Sequence, residues 1–176
     1  DLPAPCCTGL VLNLNGNAIT VARRFQDEGV RTVEDLARWV TRRRGGPVTL
    51  GTVSSYSTHS RLLRGWLATA NMVEGRDYQV VLVPPKQILK GLSSGHLDGY
   101  CVGEPWNQRA IIDKIGFTAV TTQDIWTDHP EKVLGTSAEW VAKNPNTARA
   151  ITAAILEAGK WIDASPANRE ETAKVI

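Results

Sequence analysis

The run Pro47-Val48-Thr49-Leu50-Gly51-Thr52-Val53-Ser54-Ser55-Tyr56-Ser57-Thr58-His59 decides the fold. An apolar stretch at 48–53, too short for a helix, gives way to a polar turn at 54–58, after which Leu62, Leu63, Trp66, Leu67 and Ala70 recur at helical spacing. That is a strand, a loop and a helix. The pattern repeats downstream: residues 78–83 read as a strand stopped by Pro84-Pro85, Ile88, Leu89 and Leu92 mark a short helix, and 97–102 read as a third strand. Gly103-Glu104-Pro105-Trp106 then opens a helix over 107–115, and 117–120 return as a strand. Short apolar runs alternating with amphipathic segments predict a mainly parallel sheet built from βα units.

Upstream, the apolar run 10–14 breaks at Asn15-Gly16-Asn17 before Ala18-Ile19-Thr20-Val21 continues, which reads as a strand reaching a loop or helix start. Val33, Leu36, Ala37 and Val40 make a helical stripe, with Thr32 placed to cap it ahead of Glu34 and Asp35. The basic cluster Arg42-Arg43-Arg44 follows, where cations suit a helix's negative end. Downstream, 124–130 read as a loop, 133–135 as extended, and 138–142 as a helix interrupted at Asn144-Pro145. The last long segment, 147–164, places Ala150, Ile151, Ala154, Ile155, Ala158 and Ile162 on one stripe, expected to pack against the sheet or a hinge.

A chain of 176 residues that is 42% hydrophobic can bury a real core. Its formal charge of +2 is far from the basic excess of a nucleic-acid protein, so no nucleic-acid partner is expected. Three cysteines, two of them adjacent as Cys6-Cys7, argue against a disulfide framework, and Cys101 reads as a small buried apolar residue. No apolar run approaches the roughly 20 residues that cross a bilayer. The chain starts at Asp1 and stops at Lys174-Val175-Ile176 in a helical run, and so reads as part of a longer protein.

In an open α/β sheet a ligand sits beyond the carboxyl ends of the strands, where loops present backbone N–H groups. Three polar stretches fall there: 54–59, 84–87 and 103–107. Together they describe a small anion pocket. His59 opens a helix, and two readings stand for it: a capping or solvent-facing side chain, or a donor in that pocket. His96 and His129 read as surface residues, and the three histidines have no ligand-spaced acidic or thiol partners, so no metal and no cofactor are expected. Cys101, His59 and Glu104 are the residue types of a nucleophilic site, but Cys101 lies in the apolar run Tyr100-Cys101-Val102, which turns its thiol toward the core. Gly-rich nucleotide-binding loops are absent. No enzyme is expected. Trp106, held beside a Gly-Glu turn by Pro105, reads either as lining a cleft or as packing beneath the loop.

Several longer motifs, taken in order, carry a family resemblance. They are Leu14-Asn15-Gly16-Asn17-Ala18-Ile19-Thr20, Thr58-His59-Ser60-Arg61-Leu62-Leu63-Arg64, Val83-Pro84-Pro85, Cys101-Val102-Gly103-Glu104-Pro105-Trp106-Asn107, and Thr121-Thr122-Gln123-Asp124-Ile125-Trp126 followed by Asp128-His129-Pro130-Glu131-Lys132. In these the chain resembles the nitrate and bicarbonate solute-binding proteins of ABC transporters and their soluble nitrate-sensor relatives. The resemblance implies an α/β fold of the type II periplasmic-binding-protein kind: a parallel βα lobe, a crossover segment and C-terminal helices. The implied division is a crossover or hinge at 1–20, the second lobe at 21–131, and the return crossover with C-terminal helices at 132–176, the first lobe's amino-terminal part being absent.

The same resemblance implies a ligand set of Asn17, His59, Gly103 and Lys132 in an interlobe cleft, with Ser57, Thr58, Glu104 and Trp106 as further lining. At position 17 it expects glutamine in nitrate binders, a longer amide than Asn17. Lys132 accompanies nitrate in this resemblance, whereas bicarbonate binders carry an acidic residue with a bound cation. The implied role is therefore nitrate binding for an ABC-type uptake system, with a membrane permease as partner and a periplasmic or extracytoplasmic, membrane-associated location. Three alternatives stay open: a cytoplasmic nitrate sensor acting on a regulatory protein partner, a bicarbonate-binding protein, and a small-molecule enzyme on the same fold.

Overall fold

The computed structural model describes residues 5–43 and 45–175. Arg44 of the basic cluster and the terminal Asp1 and Ile176 lie outside the described residues. The chain forms two compact units, one running from Asn15 to His129 and the other joining the residues up to Leu14 to those from Pro130 onward.

The first of these units is a five-stranded sheet flanked by helices. Its elements are β2 (Asn17–Ala22), α1 (Arg23–Asp27), α2 (Val33–Arg42), β3 (Val48–Thr52), α3 (Thr58–Thr69), β4 (Tyr78–Leu82), α4 (Pro85–Ser93), β5 (Gly99–Gly103), α5 (Trp106–Ile112), β6 (Gly116–Thr121) and α6 (Thr122–Ile125). The strands lie in the order β4-β3-β5-β2-β6. As expected from the sequence, β3 is parallel to both β4 and β5. The exception is β2, antiparallel to its neighbours β5 and β6. This reversal brings the start of β2 to the same edge as the ends of β5 and β6, with Asn17 opposite Gly103 and Ala18 opposite Thr121.

Apolar residues from both layers close the core. Ile19, Leu50 and Val102 of the sheet are buried with Leu63 and Leu67 of α3, Ile88 of α4 and Ala110 of α5. Cys101 is wholly buried there, as its apolar strand predicts. The helix α2 begins as read, with the Thr32 hydroxyl accepting from the Asp35 N–H and the Asp35 carboxylate accepting from the Thr32 N–H. At its end the Arg43 guanidinium lies 4.8 Å over the Trp39 ring.

Four boundaries differ from the sequence reading. Residues 17–20, expected in a crossover, form a fully buried strand, so the unit begins at Asn15 and not at residue 21. It ends at His129, two residues short of the expected 131. The third strand starts at Gly99 and not at 97, because Leu97 folds back over α4 and donates its N–H to the Gly91 carbonyl at 3.0 Å. A Cβ at Gly91 of α4 would stand 2.8 Å from the Leu97 Cδ1, so a side chain there would have to displace that of Leu97. Lastly, the expected loop at 124–130 opens inside the short helix α6, whose capping box joins Thr121 and Asp124.

The other unit pairs β1 (Cys6–Leu14) with β7 (Pro130–Ser137) as an irregular antiparallel ribbon. It continues through α7 (Ala138–Lys143), α8 (Pro145–Asp163) and α9 (Pro166–Val175). Ile155 and Leu156 of α8 line a groove with Leu10, Val11 and Leu12 of β1, so of the predicted stripe Ile155 faces the ribbon there. The stripe is only partly covered: no described residue of α7, α8 or α9 is buried.

Candidate functional site

The site grows from the carboxyl edge of the five-stranded sheet. There the polar turn after β3 leads into α3, whose first turn is closed by the Ser57 hydroxyl accepting from the Ser60 N–H at 3.2 Å. The Ser57 side chain is thereby committed to the cap, and Thr58 follows it half-buried. Next comes His59. Its ring Nε2 lies 2.8 Å from the Oδ1 of Asn17, the first residue of β2, which is almost wholly buried. With Nε2–H donating to Oδ1, the NH₂ end of the Asn17 amide is turned away from the ring. His59 is thus more than a helix cap.

Gly103 is the third predicted residue brought to this place, paired with Asn17 across β2 and β5. A Cβ at Gly103 would stand 3.2 Å from the Asn17 Oδ1, so the missing side chain makes room for the amide. Glu104 is exposed and its carboxylate accepts from the Gln108 N–H at 3.0 Å, which holds it on the first turn of α5. Trp106 is partly buried and packs against the core. Its carbonyl accepts from the Tyr100 hydroxyl at 2.9 Å, and burial pushes that phenol above its ordinary pKa, so Tyr100 remains a neutral donor.

Lys132 belongs to the other unit. Its ammonium pairs with the Glu131 carboxylate, its backbone N–H donates to the Asn13 Oδ1 at 3.1 Å, and its side chain is 63% exposed. Of the four predicted ligand residues, then, the Asn15–His129 unit itself gathers Asn17, His59 and Gly103.

His129 corrects the surface reading: it is completely buried. Its Nε2 lies 2.9 Å from the Thr122 Oγ1, and its ring leans against Trp126 with centroids 5.6 Å apart. The buried Thr122 hydroxyl also lies 3.1 Å from the Asn17 carbonyl oxygen, to which it donates. A polar ring can be buried because such partners replace water. Neither Thr122 nor His129 was recognisable as part of the site from sequence. Both stand in the final motif of the resemblance, but a lone threonine and histidine there carry no spacing signal.

Among the described residues no cluster of histidine, cysteine or carboxylate side chains could hold a metal ion. The three cysteines are unbridged, and Cys101 lies in the core.

The sequence model of the NMT1-like family matches residues 3–176. The chain belongs to this family. Similar proteins include the nitrate import ATP-binding protein NrtC of Synechocystis sp. strain PCC 6803, 42% identical over 161 residues that cover 92% of this chain and 24% of that protein. The bicarbonate transport ATP-binding protein CmpC of the same strain is 42% identical over 154 residues, covering 88% of this chain and 23% of that one. Among solved structures, the periplasmic nitrate-binding protein NrtA from Synechocystis PCC 6803 superposes with a TM-score of 0.85 at 32% identity, over 98% of this chain and 44% of NrtA. This NMT1-like chain therefore has the type II periplasmic-binding-protein fold, and it spans less than half the length of each of these relatives.

Proposed function

We propose that this chain is the anion-gripping part of the solute-binding module of an ABC-type nitrate uptake system, with a membrane permease as partner and an extracytoplasmic location. The observation that carries the reading is the joined pair Asn17 and His59 beside Gly103 at the carboxyl edge of the sheet. Nitrate is planar, its oxygens accept only, and it has no proton to give. It is matched by donors: the Asn17 NH₂ held donor-end outward by His59 and the backbone at Gly103, with the ammonium of Lys132 proposed as formal counter-charge. The NrtA likeness supports nitrate, and the 42% identity to CmpC, equal to that with NrtC, makes bicarbonate the competitor to test. Bicarbonate would additionally need an acceptor for its O–H. No bond is made or broken in this role.

The test is calorimetric titration of nitrate and bicarbonate into the intact protein. His59→Ala removes a hydrogen bond in an ion-binding site and is expected to weaken nitrate binding by about 10- to 100-fold. Lys132→Ala is expected to cost about tenfold, and Lys132→Glu more, by setting a like charge against the anion. Tighter binding of bicarbonate than of nitrate by the wild type, or indifference to both changes, would sink the nitrate reading.

One observation favours a second reading. NrtC and CmpC are named as ATP-binding proteins, and each is 42% identical to this chain, against 32% for NrtA. The sequence itself has no Gly-rich nucleotide loop. In this reading the same anion site senses nitrate beside a transport ATPase on the cytoplasmic side, and the partner is regulatory. Mass spectrometry of the native polypeptide separates the two: an ATPase in the same chain selects the sensor, and its absence selects the binding protein.

A further inference from the structure

His129 grips the entrance to β2 at two points. Its carbonyl accepts from the Asn15 N–H at 2.9 Å, and its ring reaches Asn17 through the Thr122 hydroxyl. Between these points lies a turn in which Asn15 has φ 56° and Gly16 φ 85°, both left-handed, so the path of the chain into Asn17 is sharply bent. The direction of the relay follows from valence. The Asn17 carbonyl can only accept, so the one proton of the Thr122 hydroxyl goes there, and the Thr122 oxygen must accept from His129 Nε2–H. His129 is therefore protonated at Nε2.

We propose that Thr122 and His129 are positioning residues for the anion site: they fix the main chain at Asn17 so that its side-chain amide meets His59 and presents its donor end. The ring of His129 does not touch the anion. It acts through Thr122, and Thr122 acts through the Asn17 carbonyl. Both residues are wholly buried, as is the hydrogen bond between them. Only the affinity arm of the test rests on the nitrate reading above; the spectroscopic arm is independent of it.

The experiment uses the intact protein labelled with ¹⁵N in asparagine and histidine. Long-range correlation spectra report the His129 tautomer, and the Asn17 side-chain NH₂ resonance reports the orientation of the amide. Thr122→Val is expected to shift the Asn17 resonance without any ligand and to weaken nitrate binding about tenfold, while Thr122→Ser restores both. His129→Gln, whose amide nitrogen reaches as far as Nε2, should keep the site, and the shorter His129→Asn should not. That pair carries the contrast if Thr122→Val fails to fold. Thr20→Val is the control: it breaks the equally buried bond from the Thr20 hydroxyl to the Asn107 Oδ1, 2.8 Å long, in the same strand. It should lower stability and leave the Asn17 resonance in place.

An Asn17 resonance that ignores Thr122→Val and His129→Asn, or one that moves equally in Thr20→Val, would overturn the positioning role. If the wild type binds no nitrate while the Asn17 resonance follows the Thr122 and His129 variants, the positioning role stands and the nitrate reading falls.

Discussion

The two units of the chain solve the same problem of burying apolar surface with opposite success. In the Asn15–His129 unit every residue of β2 is buried, and helices contributed by α3, α4 and α5 seal the sheet. In the ribbon-and-helix unit β1, β7 and the three C-terminal helices contain no buried residue among those described, although their sequences are no less apolar. A groove of about 650 Å³ remains there, lined by Cys7, Leu134, Trp140, Ile151 and Leu156 among others. A hydrophobic stripe makes an element; only a second layer makes a core. The contrast matters for function, because a binding site needs groups held by packing, and the gathered trio lies in the unit that has such packing.

The largest test of this contrast is a pair of truncations. Leu63→Ala, in the core of the first unit, is expected to cost about 2–5 kcal/mol in urea unfolding, whereas Leu156→Ala, 47% exposed on α8, should stay within about 0.5 kcal/mol. Equal losses would mean that α8 is covered in solution. A smaller effect is expected at Gly103. With a contact of 3.2 Å to the Asn17 Oδ1, Gly103→Ala should displace the amide and lower nitrate affinity by about tenfold. The melting temperature should change little, since the neighbour is the end of a side chain and not backbone. Unchanged affinity would separate Gly103 from the trio.

The smallest effect concerns a single helix start. Hydrogen bonds from the backbone N–H groups of Arg31 and Thr32 hold the Asp35 carboxyl below its ordinary pKa. Because the folded-state value is depressed, this contribution is present above the ordinary carboxylate range and is lost as pH falls through the folded value. Asp35→Asn should therefore flatten the acid limb of a melting-temperature profile slightly, below about pH 4, and leave neutral pH nearly untouched. A steeper acid limb in the variant would break the assignment.

Much of the first unit was legible because each strand is a short apolar run followed by a stripe of period 3.6, and parallel pairing follows from that alternation. The reversal of β2 was not legible. A strand of six residues buried on both faces carries no sign of its direction, which is set by where the chain enters the sheet. The helix α1 was missed because five residues, of which only Phe25 is buried, make no stripe. At the site, Asn17, His59 and Gly103 were named through the family motifs, and their types suit an anion. The role of Thr122 depends on a neighbour 105 residues away in the chain, a distance over which sequence pattern is silent, and a threonine and a histidine seven residues apart make no stripe. His129 read as a surface residue for a plain reason: the partners that allow a histidine to be buried are invisible until the chain is folded.

The hydrogen bond from the Asn15 N–H to the His129 carbonyl, 2.9 Å long, also has a topological meaning. It brings the first and last residues of the unit side by side, so that the unit is spliced into the remainder of the chain through two adjacent strands, as an insertion is. A module whose ends meet can be moved between hosts, lengthened at its seams or circularly permuted without redrawing its sheet.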